Sequence, residues 1–202
     1  MEPGAATVRA FVAIELPFEV RSYVGRLASS LKAVVPSYVR WVDPQGMHLT
    51  LKFLGNVPTG GLPEMERALA GVAAESRPFG LRLAAVGGFP DLGQPRVIWL
   101  GLVNGVAPLI SVQRRVEKAL VKLGYRAEER PFAPHLTLGR VREGVIAAER
   151  RVLGQAVATM ETGDLPAWQV EGFSLMRSQL TPRGAVYTRL ADFPFGDGLS
   201  PQ

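Results

Sequence analysis

The 202-residue chain is 47% hydrophobic and 20% charged, the balance of a globular protein of one large domain or two small lobes, long enough to bury a real core. It has no cysteine, which excludes a disulfide framework, a thiol nucleophile and a cysteine zinc site, and which fits a hot growth environment. No apolar run approaches the roughly 18 residues of a membrane span, and MEPGAATVRAF lacks the apolar block of a signal peptide, so a cytoplasmic, non-membrane protein is expected.

Thr7 to Leu16, rich in β-branched and apolar residues, reads as a strand. Pro17 suits a first helical turn, and Val20, Tyr23, Val24, Leu27, Leu31 and Val34 then recur at helical spacing. The turn DPQG, Asp43 to Gly46, leads into a strand at His48, and a Pro/Gly loop follows from Asn56 to Gly61. A helix over Leu62 to Ser76 and a strand over Phe79 to Ala85 complete the first half, and the turn-rich GGFPDLGQP, Gly87 to Pro95, reads as a junction. The order then repeats: strand Arg96 to Val103, helix Val106 to Leu123 and a strand at His135. A helix over Glu143 to Met160 and strands Trp168 to Leu175 and Ala185 to Leu190 close it. The pattern predicts one domain of two lobes, with 7–86 and 96–192 as sequence halves and a frayed tail over 193–202.

Both histidines of the chain stand before the same Leu-Thr-Leu, in HLTLKFLG from His48 and, 87 positions later, HLTLGRV from His135. Phe11 lies 37 residues before the first and Trp99 lies 36 before the second, so the halves match in spacing as well as order. Strand alternation puts His48 with Thr50, and His135 with Thr137, on one face, and the leucines between them on the other. Two such pairs across a cleft suit acid–base chemistry at phosphorus. A neutral imidazole takes a proton from the attacking hydroxyl and a protonated one supplies the departing oxygen. Threonine hydroxyls donate to the nonbridging oxygens as charge grows there.

There is no Gly-x-Ser-x-Gly elbow, Walker loop or His-Glu-x-x-His, and neither histidine has metal-like partner spacing, so neither a metal nor a cofactor is expected. The basic excess, 23 Lys+Arg against 18 Asp+Glu for a net charge of +5, points weakly to an anionic partner. An ordinary solvated surface accounts for it equally well.

The paired segments resemble the two-histidine phosphoesterase superfamily, specifically the bacterial and archaeal RNA 2′,3′-cyclic phosphodiesterases, also called 2′-5′ RNA ligases. The likeness spans nearly the whole chain, through RAFVAIELP, WVDPQGMHLTLKFLG, GGFPDLGQPRVIWLGL, RPFAPHLTLGRV and FSLMRSQLTPRGAVYTRL. It implies a bilobal, pseudo-two-fold α+β fold with antiparallel sheets lining a central cleft and helices outside. It implies metal-independent opening of an RNA-terminal 2′,3′-cyclic phosphate to a 2′-phosphate, with reversible 2′-5′ joining in some members. By motif position His48, Thr50, His135 and Thr137 become the catalytic quartet, with His135 as base and His48 as acid, and Arg140 a phosphate contact at an exposed strand edge. The first motif ends in Lys52-Phe53 instead, and the symmetry breaks there.

Phe132 and Trp41 precede the two motifs and suit either base stacking at the cleft rim or the core. Arg130 suits phosphate steering or a solvated loop, and Tyr187 the cleft or the core. Two other functions stay open: a non-catalytic module binding RNA ends, and a cyclic phosphodiesterase of small nucleotides. A monomer is expected.

Overall fold

In the computed structural model, which describes residues 6–35, 37–181 and 184–196, thirteen helices and strands build an α+β fold around two antiparallel sheets. β1 (Thr7–Glu15) leads to α1 (Phe18–Val34), β2 (Val39–Trp41), β3 (His48–Pro58) and α2 (Leu62–Ala74). β4 (Phe79–Phe89), β5 (Val97–Val103), α3 (Val106–Lys122) and β6 (Leu136–Val141) follow. α4 (Ala147–Ala158), β7 (Ala167–Val170), β8 (Gly172–Thr181) and β9 (Gly184–Pro194) complete the order. The first sheet runs β3-β1-β8-β9 and the second β2-β6-β5-β4-β7.

The sheets do not follow the sequence halves. β8 and β9 return to pair beside β1, while β2 and β4 cross to the sheet of β5 and β6, so each lobe draws on both halves. The crossing back happens at Glu171. The stretch Trp168 to Leu175, read as one strand, is β7 on the second sheet and β8 on the first, parted by that single residue. The supposed tail also starts too early. Phe193 lies within β9 opposite Phe173, and Phe195 packs on Phe79 and Phe173, so both are core; residues 197–202 lie outside the described part.

The helices form because their apolar positions recur on one face. Val20, Val24, Leu27 and Leu31 of α1, and Leu109, Val112, Val116 and Leu120 of α3, are all buried. Each such side chain contributes roughly 1.5–3 kcal/mol when fully buried. α4 is shorter than its pattern, since Gly144 adopts φ 83° and the helix starts only after Ile146, whose N–H donates to the Glu149 carboxylate.

β1 is apolar on both faces for two different reasons. Val8, Ala10, Val12 and Ile14 face the main core, while Phe11 and Ala13 join Met176 in a small separate cluster on the opposite face, with Tyr187 against it. That second face is the cleft side, and the site is built on it. Gly87 and Gly88, read as the start of a loop, instead continue β4. Gly87 pairs with Trp99 and lies under its ring, where a Cβ would collide with the indole. Among the described residues no helix is long and apolar enough to cross a membrane.

Candidate active site

The two motif segments come together across a cleft of about 930 Å³ between the sheets, lined by His48, Thr50, His135, Thr137, Arg140, Arg130, Phe132 and Tyr187, among others. Trp41 does not reach it. It pairs with Gly139 at the margin of the second sheet and packs against the main core.

His48 opens β3, and His135 stands one residue before β6. Each imidazole is held in the same way. His48 Nδ1 lies 2.8 Å from the Gly46 carbonyl and His135 Nδ1 lies 2.7 Å from that of Ala133, two residues back in both cases. A carbonyl oxygen can only accept, so each Nδ1 carries a proton and donates it, which leaves Nε2 as the nitrogen that exchanges protons. The loop geometry thus selects one tautomer twice.

Their surroundings differ. His48 stacks on Phe11, with ring centroids 4.5 Å apart, and takes the edge of Tyr187 at 4.9 Å. His135 meets one ring, Phe89, edge-on at 5.0 Å. Burial pushes the His48 pKa below the ordinary imidazole value, opposed by the Gly46 carbonyl and the Glu15 carboxylate. Glu15 pairs with His48 across the ladder. Its own burial would raise it, but the Arg189 guanidinium, gripping both its oxygens at 2.7 and 3.0 Å, and the Ser174 hydroxyl at 2.7 Å hold it below the usual carboxylate range.

A β-bulge sits at the same place in both motifs. Thr50 pairs with Ala13 and Lys52 with Val12, leaving Leu51 unpaired; Thr137 pairs with Trp99 and Gly139 with Ile98, leaving Leu138 unpaired. One extra residue reverses the alternation beyond it, so the fifth residue after each histidine rejoins the cleft face. Those residues are Arg140 and, from the first motif, Phe53, which stands opposite Phe11. Arg140 is not at a sheet edge, because β6 is internal and Arg140 lies between Arg40 and Val97. Phe53 and Phe89, which the sequence reading did not name, and Phe11, named there only as a spacing marker, also line the cleft. A tandem comparison of positions after the two histidines would have flagged Phe53.

Lys52, directed toward α3, is buried at the margin of the cleft. Its ammonium lies 2.8 Å from both oxygens of Glu117 on α3 and 2.8 Å from the Arg126 carbonyl. Glu117 also accepts from the Glu128 N–H at 2.9 Å, and Gln113, one turn earlier, reaches the carbonyl of the bulge residue Leu51 at 3.5 Å. This network ties the first motif to the segment that leads into Arg130, Phe132 and His135. Among the described residues no three His, Cys, Asp or Glu side chains are grouped as a metal site needs.

Two imidazoles with matched tautomers, hydroxyls beside them and a guanidinium, between two antiparallel sheets, are the groups that phosphoester chemistry calls for. The model of the LigT-like phosphoesterase family matches the chain twice, over residues 14–99 and 100–187, once around each histidine, and the chain belongs to that family of enzymes. It is 34% identical over 186 residues to a Methanothermobacter thermautotrophicus protein named RNA 2′,3′-cyclic phosphodiesterase, covering 92% of this chain and 98% of the relative. A Thermus thermophilus protein of the same name is 35% identical over 201 residues, covering 92% and 89%. The crystal structure of E. coli LigT complexed with 3′-AMP superposes with a TM-score of 0.71 at 28% identity, covering 94% of this chain and 99% of that one.

Proposed function

We propose that the protein hydrolyses RNA-terminal 2′,3′-cyclic phosphates to 2′-phosphates by metal-independent acid–base catalysis. The observation that carries this reading is the twin presentation of Nε2, each imidazole fixed through Nδ1 on a carbonyl two residues back and each beside a cleft threonine. The relatives' names support RNA as the substrate class, and the 3′-AMP complex of E. coli LigT supports a nucleotide in the cleft.

In the proposed reaction water attacks phosphorus in line with the P–O3′ bond, and its proton passes to His135 Nε2. The P–O3′ bond breaks, and O3′ takes the Nε2 proton of His48, leaving a 3′-hydroxyl and a 2′-phosphate. Thr50, Thr137 and Arg140 hold the nonbridging oxygens as their charge grows. Burial favours neutral His48 in the free protein, whereas the acid must be protonated. The bound phosphodiester anion supplies the compensating field, because an opposite charge within about 4–6 Å favours the imidazolium. An RNA 5′-hydroxyl in place of water would form a 2′-5′ linkage by the same transfer, and the abundance of water favours hydrolysis.

The test is incubation with an oligoribonucleotide ending in a 2′,3′-cyclic phosphate, with and without EDTA. The expected outcome is a 2′-phosphate product formed at the same rate in both. Binding without turnover would favour an end-binding module, turnover only of cyclic mononucleotides a small-molecule enzyme, and loss in EDTA restored by a divalent ion a metal mechanism.

A further inference from the structure

The cleft continues along the first sheet past the reacting groups, into a stretch for which the proposed chemistry has no use. On β1 the residues facing the cleft run Ala13, Phe11, Arg9, so Arg9 lies four residues, or ~13 Å of strand, beyond the partner of Thr50. Phe53 stands across from Phe11, and on β8 the residues after Met176 on the same face are Ser178 and Leu180. Arg9, Phe53, Ser178 and Leu180 all line the cleft. Phe53 is 66% exposed and Leu180 is 70% exposed, large apolar side chains left open to water on a sheet face. Arg9 is exposed and makes no ion pair among the described residues. At about 930 Å³ the cleft lies near the upper end of the roughly 300–1,000 Å³ range of small-molecule sites.

A guanidinium beside exposed apolar surface, continuous with a phosphate-handling site, matches one repeating chemistry: the alternating phosphate and base of a single-stranded polynucleotide. We propose that Arg9, Phe53 and Leu180 form a subsite for the nucleotide immediately 5′ to the reacting cyclic phosphate. Phe53 and Leu180 receive its base without sequence preference, and Arg9 binds the phosphodiester that joins it to the terminal nucleotide. The inference rests on the proposed activity at His48 and His135 and ranks chains of two or more nucleotides above cyclic mononucleotides as its substrates.

The experiment compares a diribonucleotide ending in a 2′,3′-cyclic phosphate with the cyclic mononucleotide of the same base, using wild type, Arg9→Gln and Leu180→Ser. Wild type is expected to prefer the dinucleotide in kcat/KM. Arg9→Gln should lower kcat/KM on the dinucleotide about tenfold, mainly through KM, and leave the mononucleotide within about twofold. It should also flatten the slope of log kcat/KM against log salt for the dinucleotide by about 0.7, the share of one single-strand phosphate contact. Leu180→Ser should act in the same direction with no change in salt slope. Equal losses on both substrates, or none on either, would overturn the subsite while leaving the activity standing. Wild type that hydrolyses neither would refute the activity, and anisotropy with a labelled dinucleotide ending in a 2′-phosphate would still decide the subsite: weaker binding by Arg9→Gln supports it, unchanged binding removes it.

Discussion

His48 and His135 occupy matching places in a repeated plan, yet one sits in an aromatic box and the other beside a single ring. What the two half-sites share is the carbonyl that fixes each tautomer, the neighbouring threonine and the bulge that recovers the fifth position. What differs is enclosure and the residue the bulge delivers, phenyl on one side and guanidinium on the other. In the proposed mechanism the two copies keep what both must do and differ where an asymmetric reaction needs an acid unlike its base.

The largest expected effect breaks the pair itself. His48→Ala and His135→Ala should each lower turnover by about 10² to 10⁴ with much smaller changes in substrate binding. A substrate whose leaving oxygen departs readily needs little acid, so it should rescue His48→Ala and leave His135→Ala impaired. Equal rescue would reverse or dissolve the assignment. Next is the device that only the first half-site has. Lys52→Met strands the Glu117 carboxylate and should cost about 3 kcal/mol in urea unfolding, with Lys52→Met/Glu117→Leu recovering part of it. An unchanged midpoint would mean that the ion pair does not hold the two motifs together.

Arg140→Ala should lower kcat/KM by roughly 10- to 100-fold with the fold intact, since one donor to the developing charge is lost. Adding Phe53→Arg to that variant sharpens the comparison: full recovery would show that a guanidinium serves from either half, and no recovery that the sides are distinct. The smallest effect concerns pH. His48 must be protonated to act as acid, and burial holds its pKa down, so the basic limb of kcat/KM should lie below that of kcat, where the bound anion raises it. Tyr187→Ala admits water to His48 and should move the kcat/KM limb to higher pH; a limb that stays put would take His48 out of that titration.

The paired His-x-Thr was legible because strand alternation is strict over three residues, and the buried leucines fix which face looks inward. Beyond the third residue the same rule misleads. Unbroken alternation would put Phe53 outside the cleft, and the bulge at Leu51 brings it in. Nothing in HLTLKFLG marks that bulge, which answers to the Gln113 and Glu117 side chains on a helix more than sixty residues away. Helix positions were readable from apolar spacing, whereas the exchange of strands between sheets was not. Pairing of β8 with β1 is decided by a ladder across most of the chain, and local pattern is blind to it. Trp41 could be read toward either the rim or the core because β2 is three residues long, too short for alternation to choose.

The two carbonyl anchors carry a consequence for the end of a turnover. In the proposed reaction one transfer leaves His135 charged and His48 neutral, the mirror image of the starting state, and a further turnover needs the first to lose a proton and the second to regain one. With each Nδ1 occupied by a backbone oxygen, neither ring can pass that proton through its far side. In that mechanism recharging runs through the same nitrogens that face the newly made 2′-phosphate, so departure of the product opens the route by which the catalyst is restored.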